Sequence, residues 1–399
     1  MNAHVMQAPT TLPIPADATP RVIAGKADPY IVGATVLLVA LGTVVVYSAT
    51  AIRSVDMTRV AAKGIEGHTA YFLLRHVVSV VVGLLGLTAA LRVPVERWSR
   101  WAFHLLALAF VLLVAVFVPG IAQEAKNGAT RWIKPGFQPA ELAKLAVVVY
   151  LAHSLAKKRE RVADFKVGFL PHVLTVGLVV GLLLKQPDFG TAVIVFACLG
   201  LMMFVAGTKI GYLLMAALLA LPVGVGYVLA KPHAMARFMA FLDPEATADG
   251  SGFQLQESLI AFGSGGLTGT GLGAGHQKLG FLPEAHTDFI FAVVGEELGF
   301  VGVCAVLGAF VVLIGRAVQL ARRASVRFNM FLAFGIASWL GAQALINMCV
   351  VTGLVPTKGL TLPLVSYGGS SMVMTLVAVG LLLRISAEER NHGALGGEG

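Results

Sequence analysis

The sequence predicts an all-α membrane protein that crosses the bilayer about ten times. Of its 399 residues, 57% are hydrophobic and only 13% are charged, and the mean hydropathy is +0.82. A soluble protein of this length cannot bury so much apolar surface in a core, so the bilayer is the expected solvent. The apolar runs are continuous rather than alternating, which indicates helices and not the strands of a membrane barrel.

Ten apolar runs approach the roughly 20 residues that a helical crossing requires. They lie near residues 29–50, 72–92, 101–119, 139–156, 167–184, 190–206, 211–229, 287–315, 328–350 and 364–385. The proline-containing, polar residues 1–28 predict a disordered N-terminal tail. Residues 386–399 are predicted to form a C-terminal tail, which leaves a membrane domain over residues 29–385.

The basic residues predict the orientation of the chain. An even number of crossings places both tails on one side, and the dense basic run at 157–161 falls on that side, which is therefore predicted to be cytoplasmic. Six cations oppose this trend, namely Arg131, Lys134, Lys185, Arg237, Lys278 and Lys358. They are candidates either for an anionic ligand outside or for lipid headgroups. The net charge of +9 is spread over short loops, which is not the pattern of a nucleic-acid-binding protein.

The longest break in the apolar pattern is an extracytoplasmic loop of residues 230–286, between the seventh and eighth crossings. Loops of this length are usually functional or disordered. The run from Phe253 to Ser258, which contains Gln254 and Gln256, is typical of a short amphipathic helix. The glycine-rich stretch 263–275 is compatible with a backbone cradle for phosphate or with a flexible turn.

Asp288 stands where this loop enters the eighth crossing. A carboxylate beside apolar walls at the mouth of a helix bundle is expected to have a raised pKa, which suits a general base. The alternative is a helix N-cap, with Thr287 as a rival cap. Glu284 and His286 lie close enough in sequence to assist or simply to face water.

A second break occupies residues 127–144. Arg131 suits phosphate, and Trp132 suits either a sugar face or the membrane interface. Glu141 and Lys144 are three residues apart in the fourth crossing, so they are expected to share a helix face and to pair with each other or with Arg75.

A third break, residues 353–371, contains small hydroxyl residues such as Ser366 and Ser370, which either allow close helix packing or line a polar cavity. Further polar residues at membrane depth are Lys185, Asp188, Glu296, Glu297, Gln343 and Asn347. Such a set fits a buried groove or a transport path. The three cysteines form neither a disulfide framework nor a metal-binding spacing.

Four segments together resemble the SEDS family (shape, elongation, division and sporulation) of multispanning peptidoglycan polymerases. They are Asn127–Lys144, Gln186–Thr191, Gly263–Gly299 and Gly353–Ser371. The forms of Asn127–Ile133, Glu284–Phe291 and Pro356–Pro363 are similar to the division branch, FtsW. Phe253 and Gln277–Phe281 depart from that pattern, and the latter leans towards the elongation branch, RodA, the runner-up.

The resemblance implies a SEDS fold of ten helices and a reaction. The growing glycan on undecaprenyl pyrophosphate would be the donor, and the 4-hydroxyl of a new lipid II sugar would be the acceptor, with inversion at the anomeric carbon. The family's essential aspartate corresponds to Asp288, which the resemblance makes the catalytic base. A divalent cation, Mg²⁺ or Mn²⁺, could assist at the pyrophosphate, although the sequence shows no dedicated ligand set for it.

The residues considered for substrate binding are polar, charged or aromatic and come from the three breaks and the long loop. They are Arg131, Trp132, Lys134, Lys144, Lys185, Asp188, Arg237, Gln254, Gln256, Ser258, Lys278, Glu284, His286, Thr287, Lys358, Ser366 and Ser370. The resemblance further implies a class B penicillin-binding transpeptidase and other divisome proteins as partners at the septum of a bacterial inner membrane. The rival functions are a lipid II flippase or other transporter, and a scaffold without catalysis.

Overall fold

The computed structural model describes residues 27–61, 69–123, 130–244, 246–247, 252–279 and 281–395. Twelve α-helices occur within these ranges. They are α1 (Pro29–Ala61), α2 (Tyr71–Arg92), α3 (Val95–Ala115), α4 (Pro139–Lys158), α5 (Leu170–Lys185), α6 (Phe189–Val205), α7 (Ile210–Ala230), α8 (Pro232–Leu242), α9 (Phe253–Gly265), α10 (Ile290–Arg323), α11 (Arg327–Val351) and α12 (Gly369–Leu395). Residues 1–26 of the tail predicted over 1–28, and the start of the 127–144 motif, Asn127 to Ala129, lie outside the described residues.

The all-α polytopic architecture is confirmed. In the described ranges, nine helices are long and apolar enough to cross a membrane, and α6 is a shorter apolar helix at the sixth predicted crossing. The described residues therefore contain the expected ten apolar helices. One boundary differs from the sequence prediction, because α12 continues past residue 385 to Leu395. Arg384, which bonds to Glu388 four residues later on the same helix at 2.6 Å, supports this continuation.

The centre of the bundle consists of α4, α11 and α12, most of whose membrane-spanning residues are buried. Helix α4 carries small residues on its buried faces, such as Ala140, Ala143 and Ala146. Small side chains let neighbouring helices approach closely when lipid, rather than water, surrounds the bundle. Helix α7 is the opposite case, since none of its residues is buried. It therefore stands at the edge of the bundle.

The described parts of the loops 116–138, 231–289 and 352–368 gather at one end of the bundle, which we name the loop-rich end. Two helices lie within the long loop, α8 and α9, and α9 confirms the amphipathic helix predicted around Phe253. The glycine-rich stretch continues from α9 and packs against α10 where that helix is kinked at Gly299, whose φ is 63°. Glycine suits this position because residues with a Cβ atom rarely adopt a positive φ.

The end of the glycine-rich stretch and the two residues that follow it donate to the protein's own carboxylates, which disfavours a phosphate cradle there. The backbone N–H groups of His276 and Gln277 donate to Glu296, and that of Gly273 donates to Glu297. These donors are already satisfied by buried anions. The stretch is consequently a packed loop and not the flexible turn considered as the alternative.

Lys278 belongs to the same network, which corrects its prediction as a substrate ligand. Its ammonium lies 2.5 Å from a carboxylate oxygen of Glu297 and 2.7 Å from the hydroxyl of Ser48 on α1. Both charged side chains are almost fully buried. A buried carboxylate that lost its cationic partner would destabilise the folded protein. We therefore assign Lys278 a structural role as the partner of Glu297.

Candidate active site

A cavity of about 1340 Å³ opens at the loop-rich end, between α6, α7, α8 and the loop that precedes α12. Its polar part contains five of the residues predicted from sequence, namely Arg131, Asp188, Arg237, Gln254 and Lys358. These residues are far apart in the chain, and the fold brings them to one wall. The cations outnumber the carboxylates at this wall, which favours an anionic ligand.

Another part of the cavity lining is mostly apolar and comes mainly from α7. The α7 positions that contribute are 217, 220, 221, 224, 225, 227, 228 and 229. Those at 217, 220, 221, 224, 225 and 228 recur at spacings of three or four residues and therefore share one helix face. Ala217, Ala220 and Gly224 keep this face shallow. The cavity thus joins a cationic end to an apolar channel along a helix that borders lipid.

Asp288 lies directly behind Gly359, a residue of the cavity wall. A Cβ atom built on Gly359 would fall 2.9 Å from Oδ2 of Asp288. The pKa of Asp288 is raised to about 7, chiefly by burial and also by the neighbouring carboxylate of Glu284, although the guanidinium groups of Arg237 and Arg131 act to lower it. A carboxyl group with this pKa can accept and release a proton near neutral pH.

Asp288 is not a helix cap, which removes the alternative reading of this residue. Helix α10 begins at Ile290, its N-cap is Phe289, and no side chain caps it. Thr287 does not serve as the cap either, because its hydroxyl lies 3.1 Å from the carbonyl oxygen of Glu284 and 3.0 Å from the carboxylate of that residue. The carboxylate of Asp288 is left for chemistry at the cavity.

Lys358 contributes a cation to the cavity. Its Nζ lies 4.1 Å from the ring centroid of Phe189, which is a cation–π contact. Burial lowers the pKa of Lys358 to about 8. A cation that is poorly solvated gains more from binding an anion than one that is already hydrated.

Arg131 and Asp188 are held in place by the turn between α5 and α6. Arg131 donates to the backbone carbonyl groups of Gln186 and Pro187. Asp188 caps α6, since its Oδ1 accepts a hydrogen bond from the backbone N–H of Thr191 at 3.2 Å. The turn therefore presents a guanidinium and a carboxylate to the cavity with little freedom.

Several residues predicted as substrate ligands do not line the cavity and have hydrogen-bond partners inside the protein. Lys144 pairs with Glu141, as the alternative prediction for it stated. Ser258 donates to Val351 O, Gln256 donates to Pro244 O, and the hydroxyls of Ser366 and Ser370 accept from the backbone N–H groups of Leu362 and Gln138. Tertiary partners that no sequence pattern shows account for these corrections.

The remaining predicted residues lie outside the cavity wall. His286 is buried, with its ring 5.5 Å from that of Phe72 and 5.6 Å from that of Tyr367. Lys134 is exposed and Trp132 is partly buried. Lys185 is exposed and lies over the ring of Phe117. Glu284 and Thr287 flank Asp288 without lining the cavity.

Sequence reasoning found Arg237 on α8 but missed its neighbours Lys231 and His233 at the start of that helix. Lys231 and His233 line the cavity together with Arg237. His233 and Arg237 are four residues apart, the spacing that places two side chains on one helix face, so this signal was present in the sequence. Gly359 was missed for a different reason, because nothing in its sequence context indicates that Asp288 lies against it.

The described residues contain no group of three or more His, Cys, Asp or Glu side chains that could hold a metal ion. Asp188 is the carboxylate that lines the cavity, and both of its oxygens already accept hydrogen bonds. Mg²⁺ or Mn²⁺ would therefore have to arrive on the oxygens of a phosphate ligand.

A smaller cavity of about 370 Å³ lies on the other side of α10, where α9, α10 and α11 meet. Its lining is apolar, with Phe262, Phe291, Phe300 and Met348 among its members, and no charged residue contributes to it. It offers no acid, base or cation. The larger cavity is consequently the candidate active site.

We expect the substitution Gly359→Ala to impair any reaction that depends on Asp288. The new methyl group would meet the carboxylate at 2.9 Å, so the carboxylate must move away. Displacement of a reacting group by about 1 Å lowers rates by roughly 100-fold. Gly200→Ala on α6 is the matched control, because no other group lies within 4 Å of its added Cβ. Equal turnover of the two variants would contradict this placement of Asp288.

Comparisons with known proteins agree with this fold and site. A family model described as "Cell cycle protein", which covers FtsW, RodA and SpoVE, matches residues 30–391. The chain is 46% identical over 355 residues to a protein named probable peptidoglycan glycosyltransferase FtsW from Trichlorobacter lovleyi, a match that covers 88% of this chain and 91% of that protein. A protein of the same name from Coxiella burnetii is 43% identical over 373 residues, with coverage of 91% and 97%.

Two solved structures share the fold. One is described as showing structural coordination of polymerization and crosslinking by a peptidoglycan synthase complex, and it matches with a TM-score of 0.72 at 32% identity, covering 91% of this chain and 98% of that chain. The other is the crystal structure of rod shape determining protein RodA from Thermus thermophilus, with a TM-score of 0.65 at 30% identity and coverage of 91% and 97%.

The fold and the site define a multi-pass membrane protein whose cavity combines a carboxyl group, cations and an apolar channel. The family model matches most of the chain, and the alignments to the two FtsW relatives cover nearly the full length of each relative. The chain therefore belongs to the FtsW/RodA/SpoVE family, and it is a SEDS protein of the FtsW type.

Proposed function

We propose that this protein is a peptidoglycan glycosyltransferase that polymerises lipid II into glycan strands during septal wall synthesis. One observation carries the proposal. A carboxyl group with a pKa near neutrality, Asp288, stands beside a cavity that has a cationic end and an apolar wall. These features match an amphiphile whose sugar would lie at the carboxyl group, whose pyrophosphate would lie at the cations and whose long hydrocarbon chain would lie along the apolar wall. The names of the FtsW relatives support the same activity.

The reaction balances with the groups at hand. The 4-hydroxyl oxygen of the incoming lipid II sugar attacks the anomeric carbon of the donor glycan, and the bond from that carbon to the phosphate oxygen breaks. Asp288 accepts the hydroxyl proton as general base. The electron pair of the broken bond leaves with undecaprenyl pyrophosphate. Attack opposite the leaving group inverts the configuration.

The cations of the cavity suit the leaving group. Negative charge grows on the pyrophosphate as the bond breaks, and preorganised cations stabilise that charge best when water is scarce. Lys358 and Arg237 are both partly desolvated, since burial lowers the pKa of each. Arg131 adds a guanidinium whose position the Gln186 and Pro187 carbonyl groups fix. We assign the pyrophosphate to these three residues.

The face of α7 suits the hydrocarbon chain of the substrate. Its small residues leave room along the helix, and the helix itself borders lipid. A polyprenyl chain could therefore reach the cavity from the bilayer without crossing water, where each exposed methylene costs about 0.8 kcal/mol.

The proposal extends to partners and location. The solved relative described as a peptidoglycan synthase complex couples polymerization to crosslinking, which supports a class B penicillin-binding transpeptidase as partner here, within the divisome. We place the protein in the bacterial inner membrane with both termini in the cytoplasm and the loop-rich end outside. The basic loop at 157–161, at the opposite end, supports this orientation.

The test of the proposed function is product release. The purified protein with its cognate transpeptidase is reconstituted into liposomes with lipid II, and glycan and free undecaprenyl pyrophosphate are quantified. The proposal expects one undecaprenyl pyrophosphate for each glycosidic bond. Movement of lipid II between leaflets without this release would indicate a flippase, and neither activity would indicate a scaffold.

The pH dependence of kcat/KM for lipid II should be bell-shaped. Asp288 must be deprotonated to act as a base, so activity is expected to rise with pH through about 7. Lys358 must keep its proton to bind pyrophosphate, so activity is expected to fall as pH rises through about 8. The quotient kcat/KM reports the free enzyme. Stopped assays from pH 5 to 10 measure the profile, and an acid limb centred near the ordinary pKa of an aspartate, about 4, would contradict the assignment.

A further inference from the structure

Two amide side chains on α11 hold the loop that forms the cavity wall. Gln343 and Asn347 are one helical turn apart and only 1% and 0% exposed. They donate to the backbone carbonyl groups of consecutive residues, Thr361 and Leu360. Residues 356–362 are not helical, and a non-helical backbone within a membrane protein needs partners from other elements. The amides satisfy that need next to the site.

Asn347 also reaches the residue that carries the proposed base. Its Nδ2 lies 2.8 Å from the backbone oxygen of Asp288 and 2.6 Å from that of Leu360. Both partners are carbonyl groups, which can only accept, so the NH₂ group of the amide must face them. The amide of Asn347 therefore links Asp288 to Leu360. Leu360 directly follows Gly359, the cavity residue that lies against the Asp288 carboxylate.

The orientation of Gln343 is imposed by a buried ion pair. Its Oε1 accepts hydrogen bonds from Lys144 at 2.6 Å and from Trp339 at 3.0 Å. Lys144 is in turn held at 2.9 Å by Glu141. Because the amide oxygen accepts from two donors, the NH₂ group must face the other way. Its Nε2 lies 2.9 Å from the carbonyl oxygen of Thr361. The ion pair on α4 is thus connected to the loop through a single amide.

We propose that Gln343 and Asn347, with Gln343 oriented by the Lys144–Glu141 pair, are positioning residues that hold Asp288 and the Lys358-bearing loop in register. The proposal rests on the proposed function. None of these α4 and α11 side chains lines the cavity, so each acts through Asp288 or the loop. The arrangement gives the buried ion pair of α4 a role beyond packing, since it selects one of the two orientations of an amide.

Catalytic groups require this degree of control. Productive geometry tolerates only about 0.5 Å of error, and a displacement of about 1 Å costs roughly 100-fold in rate. Asp288 lies in a turn before α10 rather than inside a helix. Its backbone carbonyl is therefore one of the few points at which its position can be fixed.

The first test is Asn347→Ser, which shortens the side chain and removes both donors. We expect kcat for polymerisation to fall at least tenfold. We also expect the acid limb of the pH profile to move to lower pH, because a carboxylate that is no longer held in its half-buried place gains water and its pKa falls. Gln319→Glu on the exposed face of α10 is the control. Its Oε1 accepts from Arg316 at 2.7 Å, and a carboxylate keeps that bond.

The second test keeps side-chain volume and needs no change at Asn347. Gln343→Glu retains the oxygen that Lys144 and Trp339 contact but removes the donor to Thr361. A double variant, Glu141→Leu with Lys144→Met, removes both buried charges together. Replacement of a buried pair by apolar residues is often neutral or stabilising, so a purely structural pair predicts normal kcat in a stable protein. The proposal predicts a stable protein with kcat reduced at least tenfold.

Thermal unfolding of each variant separates folding from positioning. Wild-type polymer, together with control-level kcat in Asn347→Ser and Gln343→Glu, would overturn the proposal while leaving the proposed function intact. Activity lost only in proportion to folded protein, with an unmoved acid limb, would also overturn it. Absence of polymer from the wild type would instead reject the proposed function, and this proposal with it.

Discussion

Replacement of Asp288 by asparagine is expected to lower kcat for glycan synthesis by roughly 100-fold to 10,000-fold, the usual contribution of a general base. The change is nearly isosteric and removes the one group at Gly359 that can take the acceptor proton. Since no helix cap is lost, thermal stability should hardly change. KM for lipid II should change little, because the cations and the apolar wall remain.

The control for this variant is Asp164→Asn, at the opposite end of the bundle. Asp164 accepts a hydrogen bond from the backbone N–H of Val167 at 2.8 Å, which an asparagine oxygen can also do. Rates of polymer formation by both variants, measured with the same transpeptidase, give the comparison. Full activity of Asp288→Asn would remove Asp288 from the role of base.

Replacement of Lys358 by methionine is the prediction with the second-largest effect. Loss of one preorganised group that stabilises transition-state charge typically costs about 100-fold to 1,000-fold in kcat. Methionine keeps contact with the ring of Phe189 but carries no charge. Lys209→Met is a matched control, because Lys209 lies over a ring too, that of Tyr212, at the opposite end of α7.

Lys358→Arg distinguishes a need for charge from a need for shape. An arginine stays protonated throughout the assay range. We therefore expect the alkaline limb near pH 8 to disappear while the acid limb near pH 7 stays. An alkaline limb that persists in Lys358→Arg would show that another group causes it.

The membrane fold was predictable from sequence because lipid imposes long apolar helices on any chain that crosses it. The ten apolar runs correspond to the ten apolar helices found in the described residues, and the helix around Phe253 was also expected. Boundaries were less accurate, as α12 shows. Its last turns are polar in sequence rather than apolar, and the Arg384–Glu388 pair is a local contact that hydropathy does not detect.

The site was predictable in part, and the failures share a cause. Asp288 stood out by its position between a loop and an apolar run, but its alternatives, base or cap, separated only when α10 was seen to begin at Ile290. Lys278 resembled the other outer cations in sequence. Its partner Glu297 comes from the following helix, and the packing that joins them has no local signal.

The amides of α11 show the same limit. The spacing of Gln343 and Asn347 places both on one helix face, and their polarity at membrane depth suggested a function. The carbonyl groups that they bind belong to Asp288 and to the 360–361 segment. The sequence therefore identifies the two amide donors, but their carbonyl acceptors become known only from the folded structure.

The most direct measurement of the central claim is glycan formation from lipid II by the purified protein with its cognate transpeptidase, for wild type and Asp288→Asn side by side. The account predicts polymer and equimolar undecaprenyl pyrophosphate from the wild type, and at most about one hundredth of that rate from the variant. Equal polymer from both proteins, or none from a folded wild-type complex with intact lipid II, would contradict it.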